Sequence, residues 1–120
     1  MDSETNIHEL KEKVQKFCEA RDWDKFHGPK ELAIGAITEA SELLEHFRFK
    51  TEDQIKELLK DPKKKHEIGE ELADTTIFLL RFAQMNDIDI SQAIHTKLEK
   101  SEDRYPVDKC KGKNLKYNQY

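Results

Sequence analysis

The stretches that decide the fold are TEASELLEHF, residues 38–47, and EELADTTIFLL, residues 70–80. Each contains two acidic residues three positions apart, and these are Glu39 with Glu42 and Glu71 with Asp74. The apolar residues around them recur at helical intervals, and residues three apart lie on one face of a helix. Each stretch therefore predicts a helix that directs two carboxylates to the same side.

Two such helices side by side would bring four carboxylates around one point. Carboxylates that crowd together and lose hydration are stable only when protons or cations accompany them. Hard divalent cations suit such ligand sets, so we expect Mg²⁺, with Mn²⁺ as a possible substitute. The alternative is a pair of solvated helix faces, which are common in a chain with 38% charged residues.

Composition limits the remaining possibilities. A chain of 120 residues is long enough for one domain, and its 4 Gly and 3 Pro favour helices. The formal net charge of -4 argues against nucleic acid as the main partner. No apolar run reaches bilayer length and no signal peptide begins the chain, so we expect a cytoplasmic protein without a membrane partner. Cys18 and Cys110 form no CxxC motif, and we expect Cys18 to lie in the core.

Apolar periodicity and capping signals predict an all-α, four-helix-bundle-like protein. A single domain spans residues 1–120, and residues 107–120 form a basic, irregular C-terminal tail. The predicted helices are Ile7 to Glu19 or Arg21, Pro29 to Phe47, a short connecting helix within 51–60, Lys63 to Met85, and a last one from Ile90 that ends before Arg104.

The same periodicity predicts which residues form the core. Glu39 and Glu42 form an acidic line on one helix, and Glu71 and Asp74 form an acidic line on the other. The apolar stripe beside each acidic line is the expected core face. The core candidates are Leu32, Ala33, Ala36, Ala40, Leu43, Leu44 and Phe47, followed by Ile68, Leu72, Thr76, Leu79 and Ala83. Ile34 and Ile37 point away from both faces, which favours contact with another subunit in a homodimer or homotetramer.

An ExxE motif is followed, on a new helix, by an ExxD motif. This pattern resembles that of the all-α nucleoside triphosphate pyrophosphohydrolases of the MazG-like group. Further motifs are similar to the dCTP pyrophosphatase branch of that group and extend the resemblance over roughly residues 20–110. They are Trp23, the FHxP motif at 26–29, Phe49-Lys50, EExxD at 70–74, Lys97, and RYPV at 104–107.

The resemblance implies a MazG-type fold and Mg²⁺-dependent hydrolysis of a deoxynucleoside triphosphate, dCTP or a modified pyrimidine, to the monophosphate and pyrophosphate. It implies metal ligands at Glu39, Glu42, Glu71 and Asp74. Glu39 or Glu42 would accept the proton of the attacking water. The biological sense would be control or cleansing of the nucleotide pool. The alternatives are another base such as dUTP, or a non-catalytic helical assembly or regulator that metal stabilises.

Substrate binding is assigned by the same resemblance, with stacking on aromatic rings as its physical basis. The predicted substrate-binding residues are Trp23, His27, Phe49, Phe78, Lys97, Ser101, Arg104 and Tyr105. Phe49, Phe78 and Ser101 stand where the branch has Trp, Tyr and Asn, which leaves base selectivity open. Trp23 and Phe78 also suit a core or a subunit interface.

Overall fold

The computed structural model describes residues 1–120 and contains helices and turns without a β-strand. The all-α prediction is therefore confirmed. The helices are α1 (Ile7–Glu19), α2 (Pro29–Glu45), α3 (Glu52–Lys60), α4 (Pro62–Met85), α5 (Ile90–Arg104) and the short α6 (Val107–Cys110). Two 3₁₀ turns, Asp24–Phe26 and Tyr117–Gln119, complete the chain.

Local chemistry explains where these helices begin and end. Thr51 and Gln54 form the predicted capping box of α3, with Thr51 Oγ1 accepting from the Gln54 N–H at 3.2 Å. The Asp61 carboxylate caps α4, whose first residue is proline. Helix α2 ends at Glu45 rather than at the predicted Phe47. Phe49 has a φ of 62°, so the backbone leaves the right-handed helical region there.

The chain forms two compact units, Met1–Asp87 and Ile88–Tyr120. In the first unit, α4 is the central helix, and α1, α2 and α3 all pack against it. The most extensive of these contacts is between α2 and α4. These two helices run antiparallel, because Gly35 lies beside Phe78 while Glu42 lies beside Glu71. The assignment of residues 1–120 to a single domain stays a prediction.

The faces that α2 and α4 bury differ from those predicted. Of the expected core stripes, Leu32 and Ala83 are each 1% exposed, but Leu44, Leu72 and Leu79 are each more than half exposed. The acidic lines face the contact between the two helices instead. Gly35 lies one turn before Glu39 and Phe78 lies one turn after Asp74, and these two residues are in close contact. Apolar residues lie on both faces of each helix, so periodicity alone could not tell which one is inside.

The structure corrects the prediction of an irregular C-terminal tail. In residues 107–120, Val107–Cys110 form α6 and Tyr117–Gln119 form a 3₁₀ turn. Within this unit, the rings of Tyr117 and Tyr120 pack edge-on against Tyr105, with centroids 6.4 and 6.2 Å away. The tail is therefore ordered against the end of α5 by aromatic contacts.

The apolar residues of α2 and α4 that remain exposed include Ile34, Ile37, Leu44, Leu72 and Leu79. Ile34 and Ile37 are exposed, as the sequence indicated, and the predicted homodimer or homotetramer stays a prediction. None of the helices combines the length and the apolar composition that crossing a lipid bilayer requires.

Candidate active site

Three of the four predicted carboxylates converge between α2 and α4. Oxygen atoms of Glu39, Glu42 and Glu71 all lie within 4.8 Å of one another. The spacing of three residues places Glu39 and Glu42 on one face of α2, and the antiparallel packing brings Glu71 of α4 opposite them. One cation placed between these oxygens would be within reach of all three side chains.

The electrostatics of the cluster indicate that the negative charge of its carboxylates is not balanced by neighbouring positive charge. Partial burial raises the pKa of both Glu39 and Glu71, and hydrogen bonding with Glu42 and its charge raise each pKa further. The Oε2 atom of Glu71 is buried and has no hydrogen-bond partner. A buried polar atom without a partner is unfavourable, so a cation or a proton is the expected occupant of this position.

Asp74 lies beside this cluster but is not part of the trio. Its charge is near enough to raise the pKa of Glu39 and of Glu71. It also lines a neighbouring cavity. His46, the residue that follows α2 as its C-cap, has the opposite effect on Glu71 and lowers its pKa. Asp74 is therefore the residue that connects the acidic cluster to the cavity.

The neighbouring cavity has a volume of about 250 Å³, and aromatic rings form part of its wall. Phe17, Trp23, His27 and Phe78 line it together with Asp74 and Arg81. The Trp23 ring packs edge-on against Phe17 and against His27, with centroid distances of 5.6 and 6.2 Å. Pockets that enclose a whole drug-sized ligand are usually about 300–1,000 Å³. The cavity therefore suits part of a ligand, such as one flat ring.

A glycine on α2 makes room for the aromatic wall. A Cβ atom on Gly35 would lie only 2.3 Å from Cε1 and 2.6 Å from Cδ1 of Phe78. Carbon atoms in contact are normally about 3.5–4.0 Å apart. The Phe78 ring can therefore lie against α2, next to the cavity, only because residue 35 has no side chain.

Phe49 is not brought to this cavity within the chain. Its side chain is 90% exposed, and the Arg48 guanidinium lies 4.6 Å from the centre of its ring. Phe49 follows α2 at the end opposite to Leu32, which is one of the cavity residues. The role of Phe49 in substrate binding stays a prediction.

The remaining predicted substrate residues lie in the second unit. Lys97, Ser101 and Arg104 share one face of α5, and Tyr105 follows as its C-cap. The Tyr105 N–H donates to the Ser101 carbonyl at 2.9 Å. The Arg104 guanidinium lies 4.7 Å from the centre of the Tyr117 ring, within cation–π range. Their contact with substrate stays a prediction.

Arg81 is a residue of this site that the sequence analysis missed. It is 1% exposed, and its guanidinium contacts Asp24 and His27 from the segment between α1 and α2. The available signal was an arginine within the apolar run IFLLRFA, residues 77–83, seven positions after Asp74 and hence near the same helix face. Arginine is almost never fully buried without partners, so this position was informative.

Comparison with known proteins agrees with this geometry. The model of the MazG-like family matches residues 34–119. Mouse dCTP pyrophosphatase 1 is 31% identical over 114 residues, which are 95% of this chain and 67% of the mouse protein. Human dCTP pyrophosphatase 1 is 28% identical over 97% of this chain and 68% of the human protein.

A solved structure extends the comparison to three dimensions. The crystal structure of a pyrophosphatase from Archaeoglobus fulgidus superposes with a TM-score of 0.77 and 37% sequence identity. The match covers 82% of this chain and 91% of the archaeal one. Family model, relatives and fold agree with the resemblance carried by the acidic motifs, and the chain belongs to the MazG-like family.

Proposed function

We propose that this protein hydrolyses a pyrimidine deoxynucleoside triphosphate, dCTP or a modified pyrimidine, to the monophosphate and pyrophosphate with Mg²⁺. The coarser activity, that of a nucleoside triphosphate pyrophosphatase, follows from the family and from the dCTP pyrophosphatases and the archaeal pyrophosphatase it resembles. One observation carries the finer proposal. A cluster of three carboxylates lies next to a cavity that has room for one ring. Asp74 lines this cavity and lies beside the cluster.

The carboxylates of Glu39, Glu42 and Glu71, with Asp74 beside them, are the proposed metal ligands. They are hard oxygen donors, and the unpartnered Oε2 of Glu71 fits a cation. A bound Mg²⁺ or Mn²⁺ would neutralise triphosphate charge and orient the α-phosphorus.

The residues of the chain then perform the proton transfer. The oxygen of a water forms the new bond to the α-phosphorus, the bond from that phosphorus to the bridging oxygen breaks, and pyrophosphate leaves. A carboxylate accepts the proton of the water. Glu39 or Glu42 is the proposed acceptor, because each carboxylate has a second oxygen that a bound metal need not occupy.

Base recognition is proposed for the cavity. A flat pyrimidine gains contact energy against the rings of Trp23 and Phe78, while hydrogen bonds at its edge distinguish one base from another. Phe49, Lys97, Ser101, Arg104 and Tyr105 are proposed to add contacts to base, sugar or phosphate. The cavity has room for one ring, which is the size of the base of a nucleotide.

Product analysis tests the proposal. The protein is incubated with dCTP, 5-methyl-dCTP, dUTP, dTTP and CTP in Mg²⁺, Mn²⁺ or EDTA, and the products are separated by ion-exchange chromatography. The expected products are a monophosphate and pyrophosphate, formed only with a divalent cation and fastest from a cytosine deoxynucleotide. Diphosphate and phosphate as products would refute the reaction, and a preference for dUTP would refute the base assignment.

The matched control pair is Glu71→Gln and Glu70→Gln. Both residues lie on α4, but Glu70 is exposed and pairs with His66 at 3.3 Å, outside the cluster. Glu71→Gln should lose turnover, whereas Glu70→Gln should keep it. If the protein binds Mg²⁺ with a gain in thermal stability but converts no triphosphate, the cluster is a structural metal site instead.

A further inference from the structure

Arg81 is a buried cation whose guanidinium nitrogens all have partners in the first unit. Nε donates to Nδ1 of His27 at 3.0 Å. Nη1 donates to the side-chain oxygen of Gln84, and Nη2 donates to the carboxylate of Asp24. The side chain is 2% exposed, while that of Asp24 is half exposed. Arg81 therefore connects the C-terminal part of α4 to both ends of the Asp24–Phe26 turn, next to the cavity.

The bond to His27 determines where the imidazole proton lies. Arginine has only donors, so Nδ1 of His27 must accept and carry no proton. A second positive charge beside the guanidinium is unfavourable, and burial together with Arg81 lowers the pKa of His27. The neutral ring that satisfies both conditions has its proton on Nε2. His27 lines the cavity, so Nε2–H is the donor that it can present there.

The aromatic wall depends on the same segment. Trp23 precedes the Asp24–Phe26 turn, and its ring packs edge-on against His27. The His27 N–H donates to the Asp24 carbonyl at 3.1 Å, which closes the turn between the two residues that Arg81 holds. The contacts of Arg81 therefore fix both the stacking surface and the imidazole.

We propose that Arg81 is a positioning residue that holds His27 as the Nε2–H tautomer, so that the cavity binds a flat ring through a hydrogen-bond acceptor on its edge. The ligand class is a heterocycle with a carbonyl oxygen or an unprotonated ring nitrogen at that edge. This rests on the proposed function, since the ring would be the base of the nucleotide. A ring that presents only donors there would meet another donor and bind poorly.

The first test measures the tautomer without any substrate. Long-range ¹H–¹⁵N NMR spectra at pH 7.5 distinguish a histidine protonated on Nε2 from one protonated on Nδ1. His27, assigned by its absence in His27→Gln, should carry its proton on Nε2 in the unaltered protein. In Arg81→Met the signals should shift towards a mixture of tautomers. Arg81→Met leaves no buried charge behind, because the half-exposed Asp24 can be hydrated.

The second test is kinetic. Arg81→Met removes the bond that fixes the orientation of the His27 ring as well as its tautomer, so the ligand should lose one well-placed hydrogen bond and KM for dCTP should rise about tenfold. An even mixture of tautomers alone would raise KM only about twofold. The acidic cluster is unchanged in this variant, and kcat should stay within about threefold. Arg81→Lys should not restore KM, because the lysine ammonium lacks the planar guanidinium group whose three nitrogens donate to three different partners.

Leu80→Ala is the matched control. Leu80 is a buried neighbour on α4 that neither lines the cavity nor bonds to His27, so its truncation lowers stability without moving the proton. A proton on Nδ1 in the unaltered protein would overturn the proposal. So would an unchanged tautomer in Arg81→Met, or an equal rise in KM for Leu80→Ala. Failure of the proposed function, by contrast, would remove turnover with every triphosphate and leave the tautomer result standing.

Discussion

Replacing Gly35 by alanine tests the packing that places the Phe78 ring between α2 and the cavity. The new Cβ would lie 2.3 Å from Phe78 Cε1, whereas carbon atoms in contact are about 3.5 Å or more apart. The ring must therefore retreat by about 1.2 Å, and the cavity beside it is the available space. The variant should lose stability, and the aromatic wall should move.

Gly69→Ala supplies the reference for the magnitude. Gly69 lies in α4 as Gly35 lies in α2, but a Cβ there would meet no atom within 4 Å. Both variants gain the same helix propensity, about 0.5–1 kcal/mol, so this contribution cancels in their difference. What remains is the overpacking cost at Gly35, about 1–3 kcal/mol. For a chain of this size the difference corresponds to a gap in Tm of roughly 4–12 °C.

Thermal and urea unfolding, followed by circular dichroism, measure this difference. A double-mutant cycle with Phe78→Ala identifies its cause: truncating Phe78 should cost about 1–3 kcal/mol less in the Gly35→Ala background, because the clash is then absent. Equal Tm values for Gly35→Ala and Gly69→Ala would refute the reasoning. A coupling energy of zero between residues 35 and 78 would refute it as well.

Four further predictions concern the site. Glu39→Gln and Glu71→Gln should each reduce Mg²⁺-dependent pyrophosphate release at least about 100-fold with an unchanged circular dichroism spectrum; turnover near the original rate would exclude them from the reaction. In EDTA, Glu39 and Glu71 of the unfolded chain ionise near their usual pKa of 4.5, whereas in the folded protein they ionise at higher pH. The two carboxyls therefore destabilise the folded protein more as pH rises above 4.5. The Tm of Glu71→Gln minus that of the unaltered protein should therefore grow as pH rises above 4.5 and level off once the folded carboxyls are ionised, in a fluorimetric series. Mg²⁺ should reduce this difference, and a difference that shrinks with pH contradicts the assignment. Because Trp23 is the only tryptophan, binding of dCMP should change the intrinsic fluorescence of the protein, and an unchanged emission at saturation would place the base elsewhere. Phe49→Ala should leave Tm within about 2 °C of the original value, because the Phe49 side chain is exposed.

Much of this fold and part of its site could be predicted from local patterns. Helix starts at Pro29 and Glu52 follow from proline at the first position and from the capping box, which depend on neighbouring residues only. The pairing of Glu39 with Glu42 follows from the helical repeat in the same way. The two matching motifs indicated that this pair would meet Glu71, and oxygen atoms of the three side chains lie within 4.8 Å of one another.

Three features lay beyond local patterns. The buried faces of α2 and α4 were assigned correctly at Leu32 and Ala83 but wrongly at Leu44, Leu72 and Leu79, because both helices carry apolar residues on more than one side. The role of Gly35 depends on which residue of α4 lies opposite, and the burial of Arg81 depends on Asp24 and His27, more than fifty positions away. No periodicity within a helix contains this information.

The sequence by itself determined the longer helices α1 to α5, their limits to within about two residues, and the acidic pairs, because hydrogen bonding, capping and the 3.6-residue repeat act between residues a few positions apart. Only the tertiary structure decided that Asp74 stands beside an aromatic cavity rather than within the group of Glu39, Glu42 and Glu71. It also decided that a buried arginine orders the wall of that cavity. The physical reason is that burial, pKa and hydrogen-bond partners depend on which helix faces meet, and packing of the whole chain selects those faces.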